Sequence, residues 1–159
     1  MVPLTLARFN EEIETKTFTN GKDDKPLVKK LYAGGFEEQF GKATLLFYSN
    51  LGWGADEAVQ LAEVLASGAA KQLERLDLND NNVGDAGAQA LADAIAGGAV
   101  PQLKELSLRD NSVGDAGAQA LAAAIAGGAA PQLKKLDLRA NPASEAAKQA
   151  VKDAIESGS

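Results

Sequence analysis

Two stretches of the chain, residues 83–99 and 113–129, are nearly identical, and this duplication constrains the fold more than any other feature of the sequence. They read VGDAGAQALADAIAGGA and VGDAGAQALAAAIAGGA, so they differ only where Asp93 in the first copy corresponds to Ala123 in the second. Each copy follows a short run of alternating leucines, LERLDL or LKELSL. The copies lie 30 residues apart, and a fixed period of about 20 to 50 residues is typical of a solenoid.

The same period extends, less regularly, to both sides of the duplication. We predict a repeat domain at residues 43–159, with repeats at about 43–72, 73–102, 103–132 and 133–159. Residues 1–42 do not follow the period, and we interpret them as an N-terminal capping region. The helix of the last repeat carries several charges, including Lys148 and Lys152. Such charges are expected where a terminal repeat faces water.

Each repeat begins with the signals of a strand and a bend. In Leu76-Asp77-Leu78 apolar and polar residues alternate, which is typical of a strand with one buried face. An asparagine follows at the same offset in three repeats, at Asn81, Asn111 and Asn141. Its amide can donate to and accept from backbone groups of its own turn and of the neighbouring turn.

The second half of each repeat has the signals of a helix. Asp85 and Asp115 stand at the start of the helical stretch, where a carboxylate can accept from the free amides of the first turn. The inward-facing positions recur every four residues, at Gly87, Leu91 and Ile95. Gly97-Gly98 then ends the helix.

The spacing Leu-x-x-Leu-x-Leu-x-x-Asn-x-Val-Gly-x-x-Gly-x-x-x-Leu-x-x-x-Ile resembles the leucine-rich repeat, specifically its ribonuclease-inhibitor-like class with full helices. The resemblance covers about residues 43–159, and repeat one departs from it at Leu51, where the bend asparagine is expected. It implies an α/β solenoid, a short right-handed horseshoe with parallel strands on the concave side and helices on the convex side. It also implies a protein partner, since members of the family mostly bind proteins through concave strand residues.

The capping region contains two predicted helices. Pro3 is suited to open the first helix, and Pro26 is suited to open the second, which we expect to end at Gly34-Gly35. Residues 15–19 alternate like an extended segment, and Asn20-Gly21 is a strong turn signal. Four of the five Phe residues fall in this region and can cover the apolar edge of the first repeat: Phe9, Phe18, Phe36 and Phe40. The alternative is that the region is an arm that docks a partner.

Composition excludes several classes of function. The chain has no Cys and no His, which argues against thiolate chemistry, imidazole catalysis and the usual zinc sites. The net charge of −6 comes entirely from residues 43–159, and such an acidic body is unsuited to nucleic acid or to anionic lipid. The acidic segment 80–85 lacks the Glu that completes a calcium loop. We therefore expect a soluble, intracellular, non-catalytic protein of the cytoplasm or an organelle interior, with no metal, no cofactor and no direct membrane insertion.

Carried over to this chain, the strand pattern places three rows of side chains on the concave face. Neighbouring strands lie about 4.8 Å apart, so adjacent members of a row can touch. In the first row, Arg75, Glu105 and Lys135 alternate in charge, which predicts a cross-strand ion ladder. The rows are Leu45, Arg75, Glu105 and Lys135; then Phe47, Asp77, Ser107 and Asp137; then Ser49, Asn79, Arg109 and Arg139.

Two features of these rows suggest a binding site. Arg109 and Arg139 are like charges side by side, which must be offset by nearby Asp residues (77, 110 and 137) or by an acidic partner. Phe47 and Leu45 are apolar where the later repeats are polar, so either the cap covers them or they contact a partner. We therefore predict concave partner contacts at Phe47, Arg75, Asp77, Asn79, Glu105, Arg109, Lys135, Asp137 and Arg139.

The convex helix of repeat three offers a second candidate surface. Its predicted outer positions carry no charge: Ala116, Gln119, Ala122, Ala123 and Ala126. Surface helices usually carry charge on the solvent face. Either alanine serves here simply as a good helix former, or this smooth surface packs against a partner around Gln119 and Ala123.

These surfaces lead to alternative functions. The first is a protein-interaction module that binds one partner through the concave face. The second is an accessory or structural subunit of a large complex, organellar or photosynthetic, that contacts its neighbours through the convex helices and the N-terminal region. A third, regulation of a GTPase by resemblance to leucine-rich-repeat GTPase-activating proteins, is disfavoured because four repeats offer little surface.

Overall fold

The computed structural model describes residues 3–16 and 25–158. In that part of the chain there are six α-helices, one short π-helix and four β-strands. They are, in order, α1 (Leu6–Glu14), α2 (Lys25–Phe36), the π-helix (Glu37–Gly41), β1 (Leu45–Phe47), α3 (Ala55–Ala66), β2 (Arg75–Asp77), α4 (Gly84–Ala96), β3 (Glu105–Ser107), α5 (Asp115–Ala126), β4 (Lys135–Asp137) and α6 (Glu145–Ser157). The expectations for Phe18, for Asn20-Gly21 and for most of the extended segment 15–19 lie outside the described residues.

The four strands form one parallel sheet in the order β1-β2-β3-β4, and a helix connects each strand to the next. The register advances by one repeat at each step, so that Leu46 pairs with Leu76, Leu76 with Leu106 and Leu106 with Leu136. Parallel strands need a crossover connection, usually a helix, and the second half of each repeat supplies it. The predicted α/β solenoid of about four repeats is confirmed. We call the sheet face that points away from the helices the concave face, and the outer helix surface the convex face.

The core lies between the sheet and the helices, and small residues bring neighbouring helices together. The predicted inward stripe is confirmed, since Gly87, Leu91 and Ile95 are buried. At Gly117 a Cβ atom would lie only 2.9 Å from the Cβ of Ala88 in the preceding helix. Glycine at this position therefore sets how closely α5 approaches α4.

The bend asparagines form a ladder that joins successive repeats, as predicted. Asn111 is fully buried. Its Oδ1 accepts from the amide of Val83 at 3.2 Å, and its Nδ2 donates to the carbonyls of Leu78 at 2.8 Å and Arg109 at 3.0 Å. One side chain thus satisfies backbone groups of its own repeat and of the preceding one.

In repeat one, Leu51 occupies the position of the bend asparagine. The Oδ1 atom of Asn81, in repeat two, accepts from the amides of Leu51 and Trp53, each at 3.0 Å. The Trp53 side chain is buried and stacks on Tyr48 with ring centroids 4.7 Å apart. Leu51 is therefore free to point outward, and 52% of its surface is exposed.

Asp85 and Asp115 cap helices, but not the helices expected from the sequence. The Oδ1 atom of Asp85 accepts from two amides at the start of α5, at 2.7 and 2.9 Å, and that of Asp115 accepts from the amide of Ser144 at 2.6 Å. The expectation that each carboxylate caps its own helix is wrong, because its side chain reaches the next repeat. Ala55 occupies this position in repeat one, and α4 accordingly begins without a side-chain cap.

The N-terminal helix begins later than the sequence suggests. Pro3 does not open α1, because the helix starts at Leu6 and the Oγ1 atom of Thr5 accepts from the amide of Arg8 at 3.2 Å. A threonine in this position satisfies a free first-turn amide, which proline cannot do. The expectation that Pro3 opens the helix is therefore wrong.

The expectation that Gly34-Gly35 ends the second helix is also wrong. The helix continues through both glycines to Phe36 and then widens into the π-helix. Phe36 and Phe40 are 7% and 0% exposed and belong to the core cluster. Burying a Phe side chain is worth about 1.5–3 kcal/mol, whereas a glycine inside a helix costs about 1 kcal/mol. Burial of two rings therefore outweighs the helix-breaking tendency of the two glycines.

The first helix packs on the second through aromatic rings. Phe9 stacks on Tyr32 with ring centroids 3.7 Å apart, and Tyr32 contacts Phe36 at 6.1 Å. Arg8 reaches the repeat domain through an ion pair with Glu63 at 3.2 Å. The division of the chain into a capping region at residues 1–42 and a repeat domain from residue 43 stays a prediction.

Candidate protein-interaction surface

The first concave row forms the ion ladder that the sequence predicts. The strand register aligns Leu45, Arg75, Glu105 and Lys135. The carboxylate of Glu105 lies between two cations, 3.5 Å from Nη1 of Arg75 and 2.5 Å from Nζ of Lys135. These three side chains therefore hold one another in place across the sheet.

The N-terminal end of the concave face is apolar and open. Leu45 and Phe47 are 51% and 58% exposed, so the expectation that the cap covers them is wrong. Phe36 and Phe40 of the N-terminal region are buried in the core, whereas Leu45 and Phe47 stay exposed. The guanidinium carbon of Arg75 lies 5.5 Å from the centroid of the Phe47 ring, within the range of a cation–π interaction.

Leu51 is an exposed apolar residue that the sequence interpretation did not include among the candidate contacts. It lies in the bend after β1 and is about as exposed as Leu45 and Phe47. The available signal was its departure from the repeat pattern, because a leucine there can be tolerated only if it points outward. Leu45, Phe47 and Leu51, together with Arg75, are named the N-terminal patch below.

The second concave row is mostly withdrawn from solvent. Asp77 is 6% exposed, and its carboxylate accepts from the hydroxyl of Ser49 at 3.0 Å and from the amide of Asn79 at 3.1 Å. Ser107 and Asp137 are 4% and 7% exposed. The two carboxylates therefore serve mainly to position their neighbours, and less of their surface faces a partner than the sequence suggests.

Arg109 and Arg139 lie in neighbouring repeats but have different surroundings. The Arg139 guanidinium donates three hydrogen bonds to the Asp137 carboxylate, from Nε to Oδ1 at 2.9 Å, from Nε to Oδ2 at 3.1 Å and from Nη2 to Oδ2 at 2.5 Å. This hydrogen-bonded guanidinium lowers the pKa of Asp137, although burial of the carboxyl acts in the opposite direction. The main chain of Arg109 donates to Oδ1 of Asn79 at 3.0 Å. Among residues 3–16 and 25–158, its guanidinium makes no hydrogen bond or ion pair.

The convex surface of α5 differs from that of its neighbours. On α4 the amide of Gln89 donates to Asp93 at 2.9 Å, and on α6 Gln149 donates to Asp153 at 2.8 Å. Ala123 replaces this aspartate on α5, so Gln119 has no equivalent partner there. Ala122 was expected on the outer surface, but it is only 8% exposed and belongs to the core, because it lies one helical turn after the buried Ala118, on the same face of α5.

Two negative findings apply to the described part of the chain. Residues 3–16 and 25–158 contain no group of three or more acidic, His or Cys side chains placed to hold a metal ion. No helix within these residues has the length and apolar character needed to cross a membrane.

Comparison with known families agrees with the geometry. A family model described as "Leucine Rich repeat" matches residues 71–92 and 101–122. These two segments therefore resemble leucine-rich repeats. The two matches start 30 residues apart and fall on β2 with the first part of α4, and on β3 with the first part of α5.

One solved structure with a similar fold is that of "Leiomodin-1 Actin-Binding Site 2 (ABS2)". The alignment covers 79% of this chain and 86% of that chain, with a TM-score of 0.58 and 13% sequence identity. At this identity the likeness concerns the fold alone. A search of curated proteins found no match.

Proposed function

We propose that this protein is a non-catalytic protein-binding module and that it binds its partner on the concave face, through the N-terminal patch and Arg109. One observation carries the proposal: Leu45 and Phe47 are more than half exposed in strand positions that are polar in every later repeat. Exposed clusters of large apolar side chains commonly mark interaction sites. The full helices of the inner repeats, 12 to 13 residues long, support assignment to the ribonuclease-inhibitor-like class.

The side chains around the patch indicate the chemistry of the partner. Phe47 offers an apolar surface for an aliphatic or aromatic anchor residue, and aromatic and Arg side chains are favoured at interface hot spots. Arg109, whose guanidinium is unoccupied within the described residues, lies two strands away and suits a carboxylate. We therefore propose a partner that presents an apolar side chain next to an acidic one. The likeness to leiomodin-1 does not select actin as that partner.

The test is crosslinking mass spectrometry of the tagged protein in native extract, with three variants compared. Phe47→Ala removes the anchor surface, and Arg109→Glu reverses the free cation without breaking an internal ion pair. Leu27→Ala is the matched control, since Leu27 is 55% exposed on α2, away from the strands. Loss of the same partner with the two concave variants but not with the control supports the proposal. Equal capture by all of them contradicts it.

A second candidate function is supported by the uncharged surface of α5. Gln119 and Ala123 lack the Gln–Asp bridge found on both neighbouring helices, so a flat partner could approach without displacing charge. This surface suits an accessory or structural subunit of a large complex, of the organellar or photosynthetic kind. The double variant Gln119→Lys with Ala123→Lys tests it in the same extract: loss of capture here, with capture by Phe47→Ala intact, favours the convex surface.

A further inference from the structure

The outer edge of β4 carries backbone groups that are paired in every inner repeat. The carbonyls of Thr44, Glu74 and Lys104 each accept from two amides of the following repeat, at 2.7 to 3.2 Å. The equivalent carbonyl in repeat four belongs to Lys134. Within the described residues, that carbonyl has no hydrogen-bond donor.

Two backbone amides on the same edge also lack a hydrogen-bond partner within the described residues. In the inner repeats, the amides of Leu78 and Leu108 donate to the following strand at 2.9 Å, and those of Asp80 and Asp110 do so at 3.0 Å. Their equivalents in repeat four are the amides of Leu138 and Ala140, which donate to no acceptor in residues 3–16 and 25–158. Unpaired groups along a sheet edge are a template for another strand.

The helix layer beside this edge is closed to a further helix of the same kind. Neighbouring helices meet where Gly87 contacts Ala58 and Gly117 contacts Ala88. Ala58, Ala88 and Ala118 occupy equivalent positions in α3, α4 and α5, and Lys148 occupies this position in α6. The Lys148 side chain is 22% exposed, and its Nζ lies 3.3 Å from Oε1 of Glu145. A lysine there blocks the close approach that alanine permits. The edge of β4 is therefore suited to a strand without an accompanying helix.

A groove of about 700 Å³ lies along the free edge, between β4 and α6. Its floor is apolar at Leu136 and Val151, and its walls carry four basic and two acidic residues. Lys152 is one of these basic residues and has no ion-pair partner within the described residues. Because Lys135 pairs with Glu105, Arg139 with Asp137 and Lys148 with Glu145, the unpaired positive charge of the groove is that of Lys152, and it suits an acidic residue of a ligand.

We infer that the free edge of β4 binds an extended acidic segment of a partner protein as a fifth parallel strand. The first concave row alternates Arg75, Glu105 and Lys135, so an acidic residue beside Lys135 continues the alternation. The intervening side chains of the segment would face Leu136 and Val151 and would be apolar. The predicted ligand therefore alternates acidic and aliphatic residues. This interaction surface is separate from the N-terminal patch.

The strand geometry also predicts which amides of the ligand are used. In this sheet, residues with concave side chains direct their N–H and C=O groups to the preceding strand, as Arg75 does to Thr44. The acidic residues of a parallel fifth strand, whose side chains lie on the concave face, therefore pair with β4. The aliphatic residues direct their amides away from the protein.

Alternating Glu-Val peptides, labelled with fluorescein and titrated with the full chain by fluorescence anisotropy, test this inference. One peptide is unmodified, a second is N-methylated at the Glu residues and a third is N-methylated at the Val residues. We expect saturable binding of the first and third peptides, and binding weaker by about fivefold for each hydrogen bond lost in the second. No saturable binding of the unmodified peptide, equal binding of all three, or loss only with methylated Val would overturn the inference.

Protein variants show whether the peptide occupies the predicted edge. Lys135→Glu and Lys152→Glu should each weaken binding about fivefold, as expected for reversal of a close charge, whereas Lys42→Glu at the opposite end should leave it unchanged. Phe47→Ala should also leave it unchanged, which separates this inference from the concave proposal. Equal weakening by Lys42→Glu would contradict the inference. Self-association of the protein that the peptide reverses would also contradict it, because the edge would then bind a second copy of the chain.

Discussion

The asparagine ladder leads to the sharpest stability prediction. Asn111→Ala should lower the free energy of unfolding much more than the same change at an exposed bend asparagine. The fully buried Asn111 side chain makes three hydrogen bonds to backbone groups. Truncation leaves the amide of Val83 without its acceptor. The carbonyl of Leu78 keeps a bond from Nδ2 of Asn81 at 2.9 Å, so it is not fully orphaned.

The magnitude follows from these contacts. A typical hydrogen bond contributes about 1 kcal/mol net, and an unsatisfied buried donor costs about 1–3 kcal/mol. Three lost bonds with one orphaned amide therefore predict a loss of about 3 kcal/mol in the free energy of unfolding. Asn82→Ala is the matched control, because Asn82 is exposed and its side chain makes no hydrogen bond within the described residues. A surface substitution of this kind usually changes stability by less than about 0.5 kcal/mol.

Urea denaturation followed by circular dichroism measures both effects. If the two variants share the denaturant slope of the parent protein, the shift in midpoint reports stability alone. A loss below about 1 kcal/mol for Asn111→Ala, or equal losses for the two variants, would refute the claim that bend asparagines join the repeats.

Three further predictions concern packing, capping and charge. Gly117→Ala should lower the free energy of unfolding, measured by urea denaturation, by about 2 kcal/mol, because the new Cβ would lie 2.8–2.9 Å from three side-chain atoms. Gly34→Ala, where the new Cβ would have no heavy atom within 4 Å, should raise it by about 1 kcal/mol. Asp85→Ala should cost about 1 kcal/mol by uncapping α5. The contact with Arg139 lowers the pKa of Asp137. The Asp137 carboxylate therefore stabilises the fold above a pH of about 4 and loses that contribution in stronger acid. In Asp137→Asn, the free energy of unfolding should depend less on pH in this acidic range.

Sequence reasoning worked best where the period repeats the same local chemistry. The strand register, the bend asparagines and the Arg75–Glu105–Lys135 ladder all follow from aligning residues 30 positions apart. In a solenoid each repeat contacts mainly its neighbours, so a contact identified once recurs at every step. The identity of the residues at equivalent positions was enough to predict these contacts.

The errors concern side chains whose direction depends on the neighbouring repeat. Asp85 carries the signal of a cap for its own helix, yet its position in the first turn directs the carboxylate to the next helix. Ala122 fits a smooth convex surface, but the rotation of α5 places it in the core. A single repeat read alone contains no information about the distance or rotation of its neighbour, so these outcomes could not be derived from it.

The N-terminal region was less predictable because it has no period. Gly34-Gly35 is a strong local stop signal, but burial of Phe36 and Phe40 in the core outweighs it. In the same packing arrangement Phe47 stays exposed. The sequence offered both outcomes for Phe47, and only the packing of the cap decided between them.

Hydroxyl-radical footprinting of the complex with the captured partner tests the central claim most directly, because it reports the solvent exposure of individual side chains. We predict that labelling of Phe47, Leu45 and Leu51 falls when the partner binds, while labelling of Leu27 and Leu31 on α2 does not change. Unchanged labelling of Phe47 in a complex that protects another surface would contradict the proposal that the N-terminal patch is the binding site.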